Sequence, residues 1–203
     1  MNRHAEVSAE TRTRLLIAAW DLLAEGGTKV TTVQAVAERA QISRGSISWH
    51  FGSKEGLVVA VVNDAFVMLC ERVQAVFDGP GPASWERVLS AQGVMLTDAR
   101  FRIFGTVGLE AIGEQGPVAD AFAAGHRRVR DLYADYLDKN QLVADGVDPR
   151  DVATALRAMT LGLNIQRRFD PDIIGLPTAV GALQAIRPAT ASDAGTEANG
   201  DDR

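Results

Sequence analysis

Two short amphipathic segments, separated by only three residues, constrain this fold more than any other feature of the sequence. The first segment starts near Thr32 and stops at the turn 41–43, and its apolar positions repeat at helical spacing. These positions are Val33, Val36, Ala37 and Ala40. Thr31 is predicted to cap this helix, and Gln34, three residues later, to reach back to the N–H of the cap.

The second short segment, 44–51, is predicted to be a helix with one polar face. Ser43 precedes it as a potential cap, and Ile47 and Phe51 form an inward pair one turn apart. The side chains predicted to face outward are Arg44, Ser46, Ser48 and His50. Two short helices joined by a three-residue turn form the helix-turn-helix that lays its second helix in the major groove of DNA.

The rest of the chain also has helical periodicity, and we find no convincing strand alternation. The predicted helices are 8–25, ended by Gly26-Gly27, then 54–77, 84–97 starting at Ser84 or Ala83, 100–112, 117–140, 149–168 and 177–186. We therefore expect an all-α fold, in which a long helix joins an N-terminal three-helix DNA-binding domain, 1–56, to a larger C-terminal helical bundle, 57–187. The polar tail 188–203 is predicted to be disordered.

The charge is unevenly distributed along the chain. The formal net charge is −5, yet residues 1–56 hold seven Lys and Arg against six Asp and Glu, while residues 57–203 hold fourteen against twenty. This balance argues against binding nucleic acid by bulk electrostatics, and it confines any DNA contact to the N-terminal end.

The single cysteine, Cys70, cannot form an intramolecular disulfide, and no Cys/His cluster is spaced for zinc, so we expect neither metal nor cofactor. The apolar run 15–20 is too short for a signal-peptide core. The longest apolar stretch, 57–70, falls short of the roughly 20 residues that a membrane span needs. We expect a cytoplasmic protein without membrane contact.

The stretch 31–57 closely resembles the DNA-binding signature of the TetR (tetracycline-repressor-like) family. The shared elements are Thr31-Thr32, the Gly45-Ser46 pair, the run Trp49-His50-Phe51 and the sequence Lys54-Glu55-Gly56-Leu57. The resemblance is strong over about 12–62. It implies a homodimeric repressor that binds an inverted-repeat operator in double-stranded DNA and is released by a small apolar or amphipathic effector.

The resemblance also implies which residues touch DNA. Base edges and adjoining phosphates would be approached by Arg44, Gly45, Ser46 and Ser48, and further phosphates by Thr32, Trp49, His50 and Lys54. From chemistry alone, Arg44 can form a bidentate pair with guanine, which discriminates by roughly 1–3 kcal/mol. Two residues depart from the family pattern, Ser48 in place of a tyrosine and Gln41 in place of glycine. A left-handed Gln41 would cost on the order of 1–2 kcal/mol.

Several residues of the larger domain are candidates for an effector pocket. They are Phe66, Cys70, Trp85, Phe104 and Glu110. Taken one at a time, such aromatic side chains are more often plain core than part of a ligand cavity. Cys70 fits either a small core residue or a redox sensor, and Glu110 either a buried anchor for an inducer or a surface carboxylate.

Two apolar stripes in the late helices have the spacing of packing seams. The candidate dimer contacts on them are Val129, Leu132, Tyr136, Leu156, Met159 and Leu163. Either the seams pack within one subunit, or they form a four-helix bundle between two subunits, which small Ala155, Ala158 and Gly162 would allow to approach closely.

Two rival functions are weighed against a ligand-responsive repressor. An enzyme would need paired carboxylates, a nucleophile with its base or a metal cluster, and none is visible in the sequence, so we expect no catalytic activity. An activator or accessory DNA-binding protein without an effector would share the same helix-turn-helix. In the repressor, the long helix starting at Lys54 would swing slightly and change the distance between the two recognition helices.

Overall fold

The computed structural model describes residues 3–170, 172 and 175–185, and within them the regular structure is helical throughout, without a strand. The helices are α1 (Arg3–Val30), α2 (Val33–Ala40), α3 (Gly45–Phe51), α4 (Lys54–Phe77), α5 (Trp85–Thr97), a 3₁₀ helix (Ala99–Arg102), α6 (Ile103–Glu110), α7 (Pro117–Lys139), α8 (Pro149–Phe169) and α9 (Leu176–Ala185). The all-α prediction is confirmed. The predicted disordered tail 188–203 lies outside the described residues.

The first helix changes direction at the glycine pair, where the sequence predicts its end. Gly26 and Gly27 leave helical geometry, with φ of −151° and 71°, and one more turn follows to Val30. The positive φ at Gly27 favours glycine, and a Cβ there would lie 2.4 Å from Oε1 of Glu110. The helix also starts earlier than the predicted residue 8, at Arg3.

The caps of the two short helices differ from the predicted ones. Thr32, and not Thr31, caps α2 and accepts a hydrogen bond from the N–H of Ala35, because buried Thr31 donates its hydroxyl to the carbonyl of Gly27 at 2.7 Å. Gln34 bonds Glu38 instead of reaching back to the cap.

The turn between the short helices also differs in one detail. The Ser43 hydroxyl pairs with the Ser46 hydroxyl at 2.9 Å, and Arg44 takes the cap position of α3 without a side-chain bond. Gln41 adopts the left-handed conformation, with φ 54° and ψ 45°, and its N–H closes α2 on the carbonyls of Ala37 and Glu38.

The predicted helix 100–112 is divided in the structure. Asp98 caps a 3₁₀ helix by accepting the N–H of Arg100 at 2.9 Å, and α6 begins only at Ile103. Hydrogen bonding to Arg100 and the nearby charge of Arg72, outweighing partial burial, hold the pKa of Asp98 at about 2. Asp98 therefore stays ionised and pairs with both guanidinium groups.

The long helix α4 lies at the centre of the molecule, and one continuous set of buried apolar side chains surrounds it. Helices α1, α5 and α7 pack against α4 along its length, and α8 covers α7. The N-terminal helices also contact the bundle directly, because the Trp20 indole donates to the carbonyl of Arg100 at 2.9 Å and the Thr106 hydroxyl to that of Leu23 at 2.8 Å. No helix in the described part of the chain is long and apolar enough to cross a membrane.

Candidate nucleic-acid interface and effector region

Helix α3 is held on its inner face by apolar packing. Ile47 is 1% exposed, and Phe51 packs against the same core from the end of the helix. The Arg12 guanidinium lies 5.3 Å from the centre of the Phe51 ring, which adds a cation–π contact from α1. The inward pair predicted for this helix therefore anchors it to the platform formed by α1 and α4.

The opposite face of α3 is open to solvent. Arg44, Gly45 and Ser48 are exposed, and Trp49 is 72% exposed, an unusual position for an indole. A Cβ at Gly45 would meet no atom within 4 Å, so the surface there is low. Ser46 and His50 are half-buried at the edges of this face, and the His50 ring meets Trp49 edge-on at 4.3 Å.

The platform that carries α3 has its own arginines paired internally. Arg14 donates to the carbonyl of Ala40 at 2.6 Å, and Arg39 forms a two-pronged bond with Glu25 at 2.7 and 3.1 Å. The side chain of Arg44, by contrast, has no hydrogen bond or ion pair with any residue that the structure describes. A free guanidinium at the start of an exposed helix can pair with a phosphate or with a guanine edge.

The predicted contacts outside α3 lie at the starts of two other helices. Thr32 uses its hydroxyl to cap α2. Lys54 opens α4, and its ammonium donates to the carbonyl of Thr28 at 2.7 Å, a bond that the sequence did not indicate. An ammonium has three donors, so this bond leaves two of them for a phosphate.

The predicted effector residues do not share one place. Phe66 and Phe104 meet with ring centres 4.7 Å apart and are joined by Phe122 and His126 in one aromatic cluster. Trp85 lies elsewhere and donates its indole N–H to the carbonyl of Leu142 at 2.8 Å.

The other two predicted effector residues lie outside the aromatic cluster. Glu110 is exposed, and its carboxylate accepts the N–H of Thr28 at 3.0 Å. Cys70, one turn after Phe66, is half-buried, and desolvation raises the pKa of its thiol. Little thiolate is present at pH 7, which disfavours redox chemistry at this residue.

A cavity of about 150 Å³ adjoins the aromatic cluster. It is lined by residues of α6, α7 and α8 that are mostly apolar, among them Phe104, Ile112, Phe122, His126, Leu161 and Ile165. Burial first, and the charges of Arg157 and Arg130 second, lower the pKa of His126 to about 4, so the imidazole is neutral at pH 7. The chemistry of this cavity suits an apolar molecule or the apolar part of a larger one.

The sequence missed a group of buried polar side chains on the far side of this cluster. They are Gln92 on α5, Tyr133 on α7, and Arg157 and Thr160 on α8. Apolar periodicity pointed to a different face of α8, which includes Val152 and Met159. A polar side chain on a buried face contributes nothing to an apolar stripe, and only the helical spacing of the polar residues themselves could have indicated the group.

Most of the predicted dimer contacts pack inside the chain. Val129 is fully buried, and Leu156 nearly so, and the Tyr136 ring stacks on Phe77 with centres 3.9 Å apart. Leu132 and Met159 are partly buried against the same core, and Leu163 packs beside Leu96 and Ala179 of this chain. These side chains therefore pack against their own subunit, and their contact with a second subunit stays a prediction.

A short exposed helix that follows a second short helix after a tight turn, and whose apolar face is anchored on α1 and on the start of α4, defines a helix-turn-helix DNA-binding protein. Residues 15–61 match the model of a family described as bacterial regulatory proteins, tetR family. Over these residues the chain is similar to the TetR family of transcriptional regulators, and the function that this similarity supports is regulation of transcription, not enzyme catalysis.

Similar proteins extend this likeness beyond the N-terminal domain. The chain is 27% identical over 202 residues to the HTH-type transcriptional repressor BepR of Brucella suis, covering 92% of this chain and 97% of the relative. Its fold is similar to the reduced form of Escherichia coli NemR, with a TM-score of 0.76, 21% identity, and coverage of 89% of this chain and 99% of the other. A putative regulator of Saccharomonospora viridis, solved in complex with choline, has a TM-score of 0.75 at 21% identity, over 87% of this chain and 95% of the other.

Proposed function

We propose that this regulator is a repressor that binds a palindromic operator as a homodimer and leaves it when a small effector binds. The exposed outer face of α3, with unpaired Arg44 at its start, is the observation that carries the proposal. The similarity to BepR, named a repressor, supports the direction of regulation. The choline complex of a similarly folded regulator supports a small molecule as the signal.

In this proposal residues 1–56 read DNA, and residues 57–187 bind the effector and the second subunit. Arg44, Gly45, Ser46 and Ser48 approach bases and neighbouring phosphates, while Thr32, Trp49, His50 and Lys54 contact phosphates. Phosphate contacts set most of the affinity, and the α3 contacts set the sequence.

The exposed face of α8 is the surface we propose for the second subunit. Ala155 and Ala158 are exposed, and a Cβ at Gly162 would meet no atom within 4 Å. Phe169, further along the same face, is 82% exposed. Small residues let two helices approach closely, and an exposed phenylalanine gains from being covered, so this face fits a second copy of α8.

A pair of hydrogen bonds to the backbone of one residue, Thr28, supports the link between effector and DNA. The N–H of Thr28 is held by Glu110 at the end of α6, and its carbonyl by Lys54 at the start of α4. Gly108 and Leu109, which line the aromatic cavity, immediately precede Glu110. A ligand that displaces α6 would therefore move the start of α4, and with it α3. To shift the ratio of released to DNA-binding conformation from 1:99 to 99:1, such a ligand must bind the released conformation more favourably by about 5.5 kcal/mol.

Selection of bound DNA from a random pool tests the operator and the symmetry together. We expect enrichment of an inverted repeat with half-sites about one helical turn apart, and sedimentation of the free protein as a dimer. The variant Ala158→Arg should sediment as a monomer and lose the inverted repeat. Recovery of single half-sites, or a monomeric wild-type protein, would contradict the homodimer.

The Thr28 link is tested by a double-mutant cycle on operator affinity. Glu110→Gln and Lys54→Met should be non-additive by about 0.5 kcal/mol or more, because both act through the backbone of Thr28. Glu114→Gln, an exposed carboxylate in the next loop, is the matched control and should be additive with Lys54→Met. Additive effects for Glu110→Gln would remove the link from the mechanism.

A gel shift of the operator with and without cell extract separates the repressor from an accessory DNA-binding protein. Release of the DNA by a small-molecule fraction of the extract is the expected result. Unchanged binding with every fraction would favour a DNA-binding protein that has no effector.

A further inference from the structure

Arg157 is a buried positive charge that lacks a counterion. Its side chain is 6% exposed, and none of the described carboxylates lies within ion-pair distance of it. Its one polar contact in the described residues is Nη2 to the sulfur of Met95 at 3.6 Å, and Nε has no partner. A guanidinium group stays charged even when it is buried. Burying Arg157 therefore lowers the stability of the protein unless an anion pairs with it.

Two other hydrogen-bond donors in the same layer also lack partners. The Tyr133 hydroxyl is completely buried and unpaired. The side-chain oxygen of Gln92 accepts a hydrogen bond from the Thr160 hydroxyl at 2.5 Å, whereas the side-chain nitrogen of Gln92 has no partner. Guanidinium, phenol and amide N–H₂ all donate, so what the group lacks is an acceptor.

These donors are brought together by the packing of α5, α7 and α8. Arg157 contacts Met95, and Thr160, three residues on, contacts Gln92, three residues before Met95, so two bonds on adjoining turns join α8 to α5. Burial raises the pKa of the Tyr133 hydroxyl, and the charge of Arg157 is the largest influence that opposes this rise. The phenol therefore remains a neutral donor, on a helix that packs directly against the helix carrying Arg157.

The apolar cavity lies one helical turn from Arg157. Leu161, one turn after Arg157 on α8, lines the aromatic cavity, and so does His126. Neutral His126 adds no second positive charge beside Arg157. One buried positive charge close to an apolar cavity matches a molecule with a single negative charge on an apolar body.

We propose that the effector is an organic monoanion, a carboxylate on an apolar body, whose head group pairs with Arg157 and accepts from Tyr133 and Gln92. The planar guanidinium suits a carboxylate because the two groups form parallel hydrogen bonds. The apolar body occupies the cavity between Phe104, Phe122 and Leu161. This assignment rests on the proposed ligand-responsive function and names the chemical class of the ligand.

Isothermal titration calorimetry with matched pairs of probes tests the head group. The probes are decanoate beside 1-decanol, and naphthaleneacetate beside naphthaleneethanol. We expect each carboxylate to bind the wild-type chain more tightly than its alcohol, and Arg157→Met to weaken carboxylate binding by about 10- to 100-fold. Arg150→Met is the matched control, since this exposed arginine lies on the same helix, and it should bind carboxylates like the wild type. Carboxylates that bind no tighter than alcohols, or equally to Arg157→Met, would overturn the proposal.

Thermal unfolding of the free protein distinguishes a binding arginine from a structural one. Arg157→Met should unfold at the same or a higher temperature, because methionine fills the site without an unpaired charge. A clearly lower Tm of the free variant would show that the arginine is structural and would overturn the proposal. Arg157→Lys keeps the charge and should still prefer the carboxylate over the alcohol, with weaker binding.

Operator binding measured in the same titration separates the proposed repressor function from the proposed carboxylate site. Carboxylate binding without release of DNA would contradict the ligand-responsive switch and leave the site intact. Absence of operator binding would contradict the repressor and would not change the calorimetric comparison between Arg157→Met and the wild type.

Discussion

The core beneath α3 and the core between α5, α7 and α8 differ in how their polar groups are paired. Beneath α3 the buried side chains are apolar except Thr31, whose hydroxyl is bonded to the carbonyl of Gly27. Between α5, α7 and α8, three polar atoms of the described residues are buried without partners. They are Nε2 of Gln92, the hydroxyl of Tyr133 and Nε of Arg157.

This difference agrees with the roles proposed for the two regions. A recognition helix needs a rigid support, because small displacements of its side chains lose base contacts, and a fully paired apolar core provides one. A ligand site needs groups whose partners arrive with the ligand, and until then those groups lower the stability of the free protein. The two cores should therefore respond in opposite ways to mutation.

The largest expected loss of stability is in the apolar core. Ile47→Ala should lower the free energy of unfolding by about 2–5 kcal/mol, since it leaves a cavity under α3. Urea unfolding followed by circular dichroism measures it, with Ser48→Ala on the exposed side of the same helix as control, expected within about 0.5 kcal/mol. Equal effects of the two variants would mean that α3 is not anchored by its apolar face.

Substitutions on the exposed face of α3 should change the affinity for the operator and leave the free energy of unfolding unchanged. Arg44→Ala should weaken operator binding by about 1–3 kcal/mol for each half-site, with unfolding unchanged. Fluorescence anisotropy at fixed salt measures it, and Arg150→Ala, an exposed arginine far along the chain, should leave binding unchanged. If Arg44→Ala weakened binding equally for every DNA sequence, Arg44 would contact phosphate and not a base.

In the larger helical domain, the next largest change in stability is expected where Gly125 packs closely against the aromatic cluster. A Cβ at Gly125 would lie 2.1 Å from Cδ2 of Phe66, so Gly125→Ala should cost about 1–3 kcal/mol of stability by displacing the ring. Gly93→Ala, where a Cβ meets nothing within 4 Å, should instead gain about 1 kcal/mol from helix propensity. Similar Tm values for the two variants would show that the Phe66 ring moves freely.

The smallest expected effect tests the comparison most directly. Gln92→Leu should change the free energy of unfolding by less than about 1 kcal/mol, because it removes a donor that has no partner. The Thr160 hydroxyl would still donate to the carbonyl of Leu156 at 3.0 Å. A loss as large as that of Ile47→Ala would show that the amide is paired in solution, and the two cores would then be alike.

The sequence predicted the helices well where local patterns decide them. Ser84 caps α5, and Pro117 and Pro149 open α7 and α8, because a cap or a first-turn proline acts within a few residues. The choice between Thr31 and Thr32 could not be made locally. The kink at the glycine pair brings the Gly27 carbonyl to Thr31 and leaves Thr32 to cap α2.

By itself, the sequence determined the all-helical class and the helix-turn-helix with its exposed polar face, since both follow from spacing within one or two turns. Only the tertiary structure decided the rotation of α8. The predicted stripe was Val152, Leu156, Met159 and Leu163, whereas Ala153, Arg157, Thr160 and Asn164 are among the buried residues, one position later and about 100° around the axis. Contacts with α5, α6, α7 and α9 set this rotation, and they bury a guanidinium that no apolar pattern could place inside.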